Sequence, residues 1–186
     1  MSNKQPSLVR VANKKSVDRL KSLVTEMIDD PEHLSIPYLK SHDWIAIPVE
    51  SSLHFNQLDT IQISRAAAEM GCEEGFAILT ESLNNVGNCY KVRLSPTGLT
   101  EFSNECGHFN FAILPKNGSF IILCTLEEYF LVGGPKKFID KYLGVNISIE
   151  KAMEDFKAFA EHNSWPVYIK SHLLTISKKY RQPASE

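Results

Sequence analysis

Three short apolar runs separated by turn signals restrict the fold of this chain more than any other feature. They read FNFAILP, FIILC and YFLVGG and lie within residues 108–144. Asn117-Gly118, between the first two runs, is the strongest short hairpin signal in the sequence. The third run ends in two glycines and Pro135, and proline is favoured as the first residue of a helix. The segment therefore predicts three adjacent antiparallel strands that lead into a helix.

Further strands and helices are predicted on either side of this segment. Apolar spacing predicts strands over residues 43–50, 76–82 and 89–95, the last two forming a hairpin across the sequence NNVGN. Pro48 has no N–H to donate to a ladder, so we expect the first of these strands to lie at an edge of the sheet or to end at this residue. Helical periodicity or helix-start signals predict helices over residues 17–29, 57–70, 96–106, 135–143, 148–162 and 166–180. Asp59 and Gln62 resemble a capping box in the second helix.

The order of these elements predicts an α+β fold. Because most strands are joined by short turns, we expect a mainly antiparallel sheet of five to six strands with helices packed on one face. The length of 186 residues is that of one domain. We expect residues 1–15 to form a flexible N-terminal arm and residues 16–180 to form a single globular domain. Residues 181–186 are expected to be a disordered tail.

Composition and charge narrow the functional class. The formal net charge of -2 disfavours a dominant nucleic-acid surface. No apolar run reaches membrane-spanning length and the first residues lack the apolar stretch of a signal peptide, so we expect a cytoplasmic protein with no membrane contact. The four cysteines form no C-x-x-C pair, which disfavours a redox motif or a zinc ribbon. We therefore predict no metal site and no cofactor.

The GGPKK turn is the first candidate binding site. Gly133 and Gly134 would let a ligand approach the backbone, and a helix N-terminus attracts anions. Lys136 and Lys137 would add positive charge. The phosphate-binding patterns G-x-x-x-x-G-K-[ST] and G-x-G-x-x-G are both absent, and Pro135 removes one N–H. The alternative interpretation is an ordinary strand-to-helix turn.

The sequence Cys106-Gly107-His108 is the second candidate. A thiol and an imidazole two residues apart would serve as nucleophile and base, or as two metal ligands. A metal site needs two more ligands and none is close in the sequence, and no helix N-terminus precedes Cys106 to activate its thiol. The alternative interpretation is a cysteine that ends a helix and a histidine that opens a strand.

The acidic pair Glu127-Glu128 is the third candidate. Its position between two predicted strands is typical of a solvated turn. Edge strands and charged patches recruit partners, so this turn, together with the exposed edge of the sheet, is the expected interaction surface.

The absence of an assembled catalytic pattern favours a binding protein over an enzyme. We expect a small cytoplasmic module that associates with another protein without catalysis, such as an inhibitor, an immunity-type protein or an adaptor. A second copy of the chain, forming a homodimer, is an alternative partner. The alternative is a small-molecule-binding protein or hydrolytic enzyme. Its pocket would lie on the concave face of the sheet, where Cys106, His108 and the turn Gly133–Lys137 would have to converge.

Overall fold

A large antiparallel sheet organises the chain, and a two-stranded sheet lies outside it. The computed structural model describes residues 8–51, 55–82, 89–162 and 164–181. The strands are β1 Leu8–Arg10, β2 Ile28–Asp30, β3 His33–Leu34, β4 Trp44–Glu50, β5 Glu74–Leu79, β6 Cys89–Arg93, β7 Phe111–Leu114, β8 Ile121–Cys124 and β9 Tyr129–Pro135. The strand order of the large sheet is β1-β6-β5-β7-β8-β9-β4, and the small sheet pairs β2 with β3. The helices are α1 Lys14–Met27, α2 Ile36–Ser41, α3 Gln57–Glu69, α4 Pro96–Cys106, α5 Lys136–Leu143, α6 Ile149–Ala160 and α7 Val167–Tyr180, with a 3-10 turn at Thr80–Ser82.

The α+β class is confirmed, but the predicted count of five to six strands is too low, because the described residues alone give the main sheet seven. The strand β1 lies in the segment predicted as a flexible arm, where Leu8 pairs with Val92 and Arg10 with Tyr90. A strand of three residues is too short to show a period of two in the sequence. Residues 1–7 of the arm, most of the predicted tail (182–186) and the turn NNVGN lie outside the described residues.

The prediction that helices cover one face of the sheet is wrong, because both faces are covered. Side chains alternate between the faces along a strand. In β9, the ring of Tyr129 lies 6.2 Å from that of Phe156 in α6, whereas the ring of Phe130 lies 5.4 Å from that of Phe55, just before α3. A Cβ on Gly134, which shares the face of Phe130, would lie 2.9 Å from Phe138 of α5. The ring of His172 in α7 lies 5.8 Å from that of Tyr129, so α6 and α7 lie on one side of the sheet, and α3 and α5 on the other.

Two-sided burial is strongest in three adjacent strands of the main sheet, β7, β8 and β9. Every residue of β7 and β8 is buried, as is every residue of β9 except Pro135. The three-strand prediction for this segment is therefore confirmed, with β7 pairing β8 and β8 pairing β9. Apolar runs without polar alternation are typical of strands buried on both faces, and this pattern was the available signal for two layers of helices.

Two local predictions have different outcomes. Among the described residues, strand β4, which contains Pro48, lies at the edge of the sheet and pairs only with β9, as the missing N–H predicted.

The capping box of α3 does not start at Asp59. Asn56 is its N-cap and Asp59 its third residue: the Asn56 side chain accepts from the Asp59 N–H at 3.0 Å, and the Asp59 carboxylate accepts from the Asn56 N–H at 2.9 Å. Asp59 is therefore held inward and is only 4% exposed.

Neighbouring residues of β8 test the two-sided burial. Ile122 and Leu123 point to opposite faces and both are fully buried. Substitutions Ile122→Ala and Leu123→Ala should each lower the free energy of unfolding by about 2–5 kcal/mol, because each leaves a cavity in its own layer. Urea denaturation measures both changes. A value near zero for either variant would contradict helical cover on that face.

Candidate functional site

The acidic turn lies at one corner of the main sheet, beside the end of its edge strand. Glu50, the last residue of β4, pairs with Tyr129, the first residue of β9. The N–H of Ser51 donates to the carbonyl of Glu128 at 3.0 Å. The turn between β8 and β9 is thereby tied to β4, and it carries Glu127 and Glu128, both half-buried.

Side-chain hydrogen bonds hold this turn in one conformation. The hydroxyl of Thr125 donates to the carbonyl of Tyr129 at 2.6 Å. The buried side chain of Asn110 accepts from the N–H of Leu126 at 2.7 Å, and the N–H of Asn110 donates to the Glu81 carboxylate at 3.2 Å. The segment before β7 and the turn after β8 are therefore joined.

Exposed apolar side chains accompany the acidic pair at this corner. Phe109 is 46% exposed and Leu126 is 40% exposed, and the Asn110 bond brings their segments together. We use the name acidic corner for Phe109, Leu126, Glu127 and Glu128. No ion pair joins Glu127 or Glu128 to any residue in the described part of the chain. The corner thus combines unneutralised negative charge with accessible apolar surface.

Acidic side chains also surround Tyr129, the first residue of β9, next to the acidic corner. Burial raises the pKa of the Tyr129 phenol well above its usual range, and the carboxylates of Glu32, Glu127 and Asp30 add to the effect. The Tyr129 hydroxyl donates to the carbonyl of Glu32 at 3.3 Å, which connects the loop between β2 and β3 to the start of β9. Acidic side chains from two separate loops therefore act on the same corner of the sheet.

The second candidate, Cys106 to His108, lies at this end of the sheet but lacks an activated thiol. Cys106 is the last residue of α4 and is 7% exposed. Burial raises the pKa of its thiol to about 11, and the adjacent Glu105 acts in the same direction. A nucleophilic cysteine needs a stabilised thiolate, and this setting stabilises the neutral thiol instead. His108 is exposed just before β7.

The GGPKK turn lies at the opposite end of the sheet. Strand β9 begins at Tyr129, at the acidic corner, and reaches Gly133 to Pro135 at its far end. Its seven residues span roughly 20 Å at the usual rise of a strand. The structure therefore does not bring Cys106 and His108 together with the turn Gly133–Lys137, as a shared pocket requires.

Packing accounts for both glycines of that turn. A Cβ on Gly133 would lie 2.8 Å from Leu34 Cδ1, and one on Gly134 would lie 2.9 Å from Phe138 Cδ1. Each glycine thus allows β3 or α5 to approach β9 closely. Lys136 forms an ion pair with Asp140 at 2.8 Å, whereas Lys137 is exposed.

A groove between edge strand β4 and helix α6 was not predicted from the sequence. Two cavities of about 200 Å³ and about 450 Å³ form it, and they share Glu50 and Asp155 in their lining. We call this feature the edge groove. Its signal in the sequence was the spacing of Ala152, Asp155 and Phe159 on one face of α6, but only the tertiary structure places that face opposite β4.

Comparison of this chain with protein-family models, with curated proteins and with solved structures finds no match. Within the described ranges, no group of three or more His, Cys, Asp or Glu side chains is arranged to hold a metal ion. None of the described helices combines the length and the hydropathy needed to cross a membrane.

The buried carboxyl of Asp59 gives the chain a testable pH dependence. Burial raises its pKa from the ordinary value of 3.8 to about 6, nearby Glu50 adds to the rise, and the hydrogen bond from the Asn56 N–H opposes it. Neutral Asp59 therefore stabilises the fold fully at low pH, and this contribution is lost as the pH rises through about 6.

Substitution Asp59→Asn should remove this dependence. We expect the free energy of unfolding of the variant, relative to the unsubstituted protein, to increase when the pH is raised from about 4 to about 7. Urea denaturation at the two pH values measures the difference. A difference that stays constant or falls would contradict a raised pKa at this carboxyl.

Proposed function

We propose that this protein is a cytoplasmic protein-binding module that acts by non-catalytic association, as an inhibitor, an immunity-type protein or an adaptor does. The observation that carries the proposal is the acidic corner. Its unneutralised carboxylates, Glu127 and Glu128, adjoin exposed Phe109 and Leu126. Interfaces combine apolar anchors with charges that complement the partner, so we expect the partner to present a basic surface.

The rigidity of the corner supports this proposal. Hydrogen bonds of 2.6 to 3.0 Å tie the turn to Tyr129 of β9, to Asn110 just before β7 and to Ser51 just after β4. A surface that is already ordered loses little conformational entropy on binding, which leaves more of the contact energy for affinity. The half-buried acidic side chains, which form no ion pair among the described residues, would also accelerate association with a basic partner.

The arrangement gives less support to an enzyme. The thiol of Cys106 is held neutral by burial, and the Gly133–Lys137 turn lies at the other end of β9. A reaction would need these groups in one pocket with at least one of them activated. The separation favours association over catalysis.

Charge reversal at the corner tests the proposal. A partner is first captured under native conditions from the source cells, purified, and titrated calorimetrically against the protein. The double variant Glu127→Lys/Glu128→Lys should bind it at least about tenfold more weakly, mainly through slower association. The matched control is Glu73→Lys/Glu74→Lys, an adjacent acidic pair at the opposite end of the sheet, which should bind as the unsubstituted protein does. Equal affinity of all three proteins, or recovery of no stoichiometric partner, would contradict the proposal.

A further inference from the structure

The edge groove runs along the length of α6. Its smaller cavity lies beside Ile147, just before the helix, and its larger cavity reaches Trp165, beyond the helix end. A helix of twelve residues is about 18 Å long, so the groove is longer than a typical small ligand. One wall is the strand segment Ile47–Glu50, and another is the face of α6 that carries Asp155 and Phe159. Gln62 of α3 and Leu143 of α5 also line the smaller cavity.

The charge of the groove is negative at its centre. Glu50 lines both cavities, and none of the described residues forms an ion pair or hydrogen bond with its side chain. Asp155, the other residue common to both cavities, pairs with Lys151 at 2.6 Å. The described lining residues include neither lysine nor arginine. A cation is the complementary group for this centre.

Aromatic side chains at one end add a second attraction for a cation. Phe159 and Trp165 form an edge-to-face pair with ring centroids 5.3 Å apart. The indole N–H of Trp165 donates to the carbonyl of Phe159 at 3.0 Å, which holds the ring in place. Aromatic faces attract guanidinium and ammonium groups, most strongly when water is partly excluded.

The other end of the groove is mainly apolar, with Gln62 and Tyr142 as polar members of its lining besides Glu50 and Asp155. Ile47, Val49, Leu143, Ile147 and Phe156 line the smaller cavity, and Ile147 is 39% exposed. An aliphatic side chain that entered this cavity would leave water on both surfaces. The groove therefore offers an apolar subsite and an anionic, aromatic subsite within the length of one helix.

We propose that the edge groove binds an extended, basic segment of a partner protein, with one arginine or lysine at Glu50 and an aliphatic side chain in the cavity beside Ile147. The inference names the chemistry of the partner and rests on the proposed function. The length and two-part character of the groove fit a peptide, which presents side chains at regular intervals. Because Pro48 lies in the wall and has no N–H, recognition depends on side chains more than on a continuous backbone ladder.

Paired peptides test the inference without the natural partner. The first is a capped heptapeptide with a central arginine flanked by leucine and serine, and the second carries neutral citrulline in place of the arginine. Titration followed by NMR should show binding of the arginine peptide at least about tenfold tighter, with shifts at β4 and α6. Equal affinity of the two peptides, or shifts confined to other elements, would overturn the assignment.

Variants of the groove supply the controls. Glu50→Gln should abolish the preference for arginine, and Ala158→Trp, which fills the larger cavity from an exposed position, should weaken the arginine peptide. Glu154→Gln removes an exposed carboxylate from the same helix outside the groove and should leave the affinity unchanged. A preference that survives Glu50→Gln would overturn the role of Glu50, and equal binding of n-butylguanidine and the peptide would overturn a protein segment as the occupant.

The outcome separates this inference from the proposed function. If neither peptide binds while Glu127→Lys/Glu128→Lys still weakens the captured partner, the groove assignment is wrong and the acidic corner stands. If the arginine peptide binds through Glu50 while that double variant keeps full partner affinity, the groove is supported and the acidic corner is contradicted.

Discussion

Burial of strands β7, β8 and β9 on both faces is the constraint on which the rest of the structure depends. An antiparallel sheet commonly leaves one face to solvent, but these strands carry apolar side chains on both, so each face needs its own layer of helices. The stacked rings of Phe120 and Phe138, 4.1 Å apart, show how closely α5 approaches. Gly133 lets β3 lie close to one face of the sheet, and Gly134 lets α5 lie close to the other.

Two-sided burial also decides where function can lie. With both faces of β7, β8 and β9 covered, the described part of this region offers a partner the ends of these strands and the neighbouring edge strand β4. The acidic corner forms at an end, where the turn after β8 meets the last residues of β4. The edge groove forms where α6 lies against β4, and Glu50 lies at the boundary between the two. The candidate surfaces are therefore adjacent, and one partner would be able to contact both.

Local signals in the sequence predicted the local structure. Asn117-Gly118 and Gly133–Pro135 predicted where strands β7, β8 and β9 begin or end, because these residues fix the conformation of their own backbone. Pro48 predicted that β4 is an edge strand, because its backbone has no N–H to donate. Strand β1 has too few residues to show a period. The cover of both faces, the separation of Cys106 from Gly133 and the edge groove depend on contacts between distant segments, which spacing along the chain does not encode. Glu127-Glu128 was found as an acidic turn, but its apolar neighbour Phe109 comes from another segment and escaped prediction.

Native-state amide hydrogen exchange tests most directly the claim that the doubly covered strands are the stable centre of the fold. Buried amides of β7, β8 and β9 should exchange most slowly, with free energies of opening equal to the global free energy of unfolding, and those of α6 and α7 should exchange through smaller openings. Faster exchange in any of the three strands than in α6 and α7 would contradict the claim.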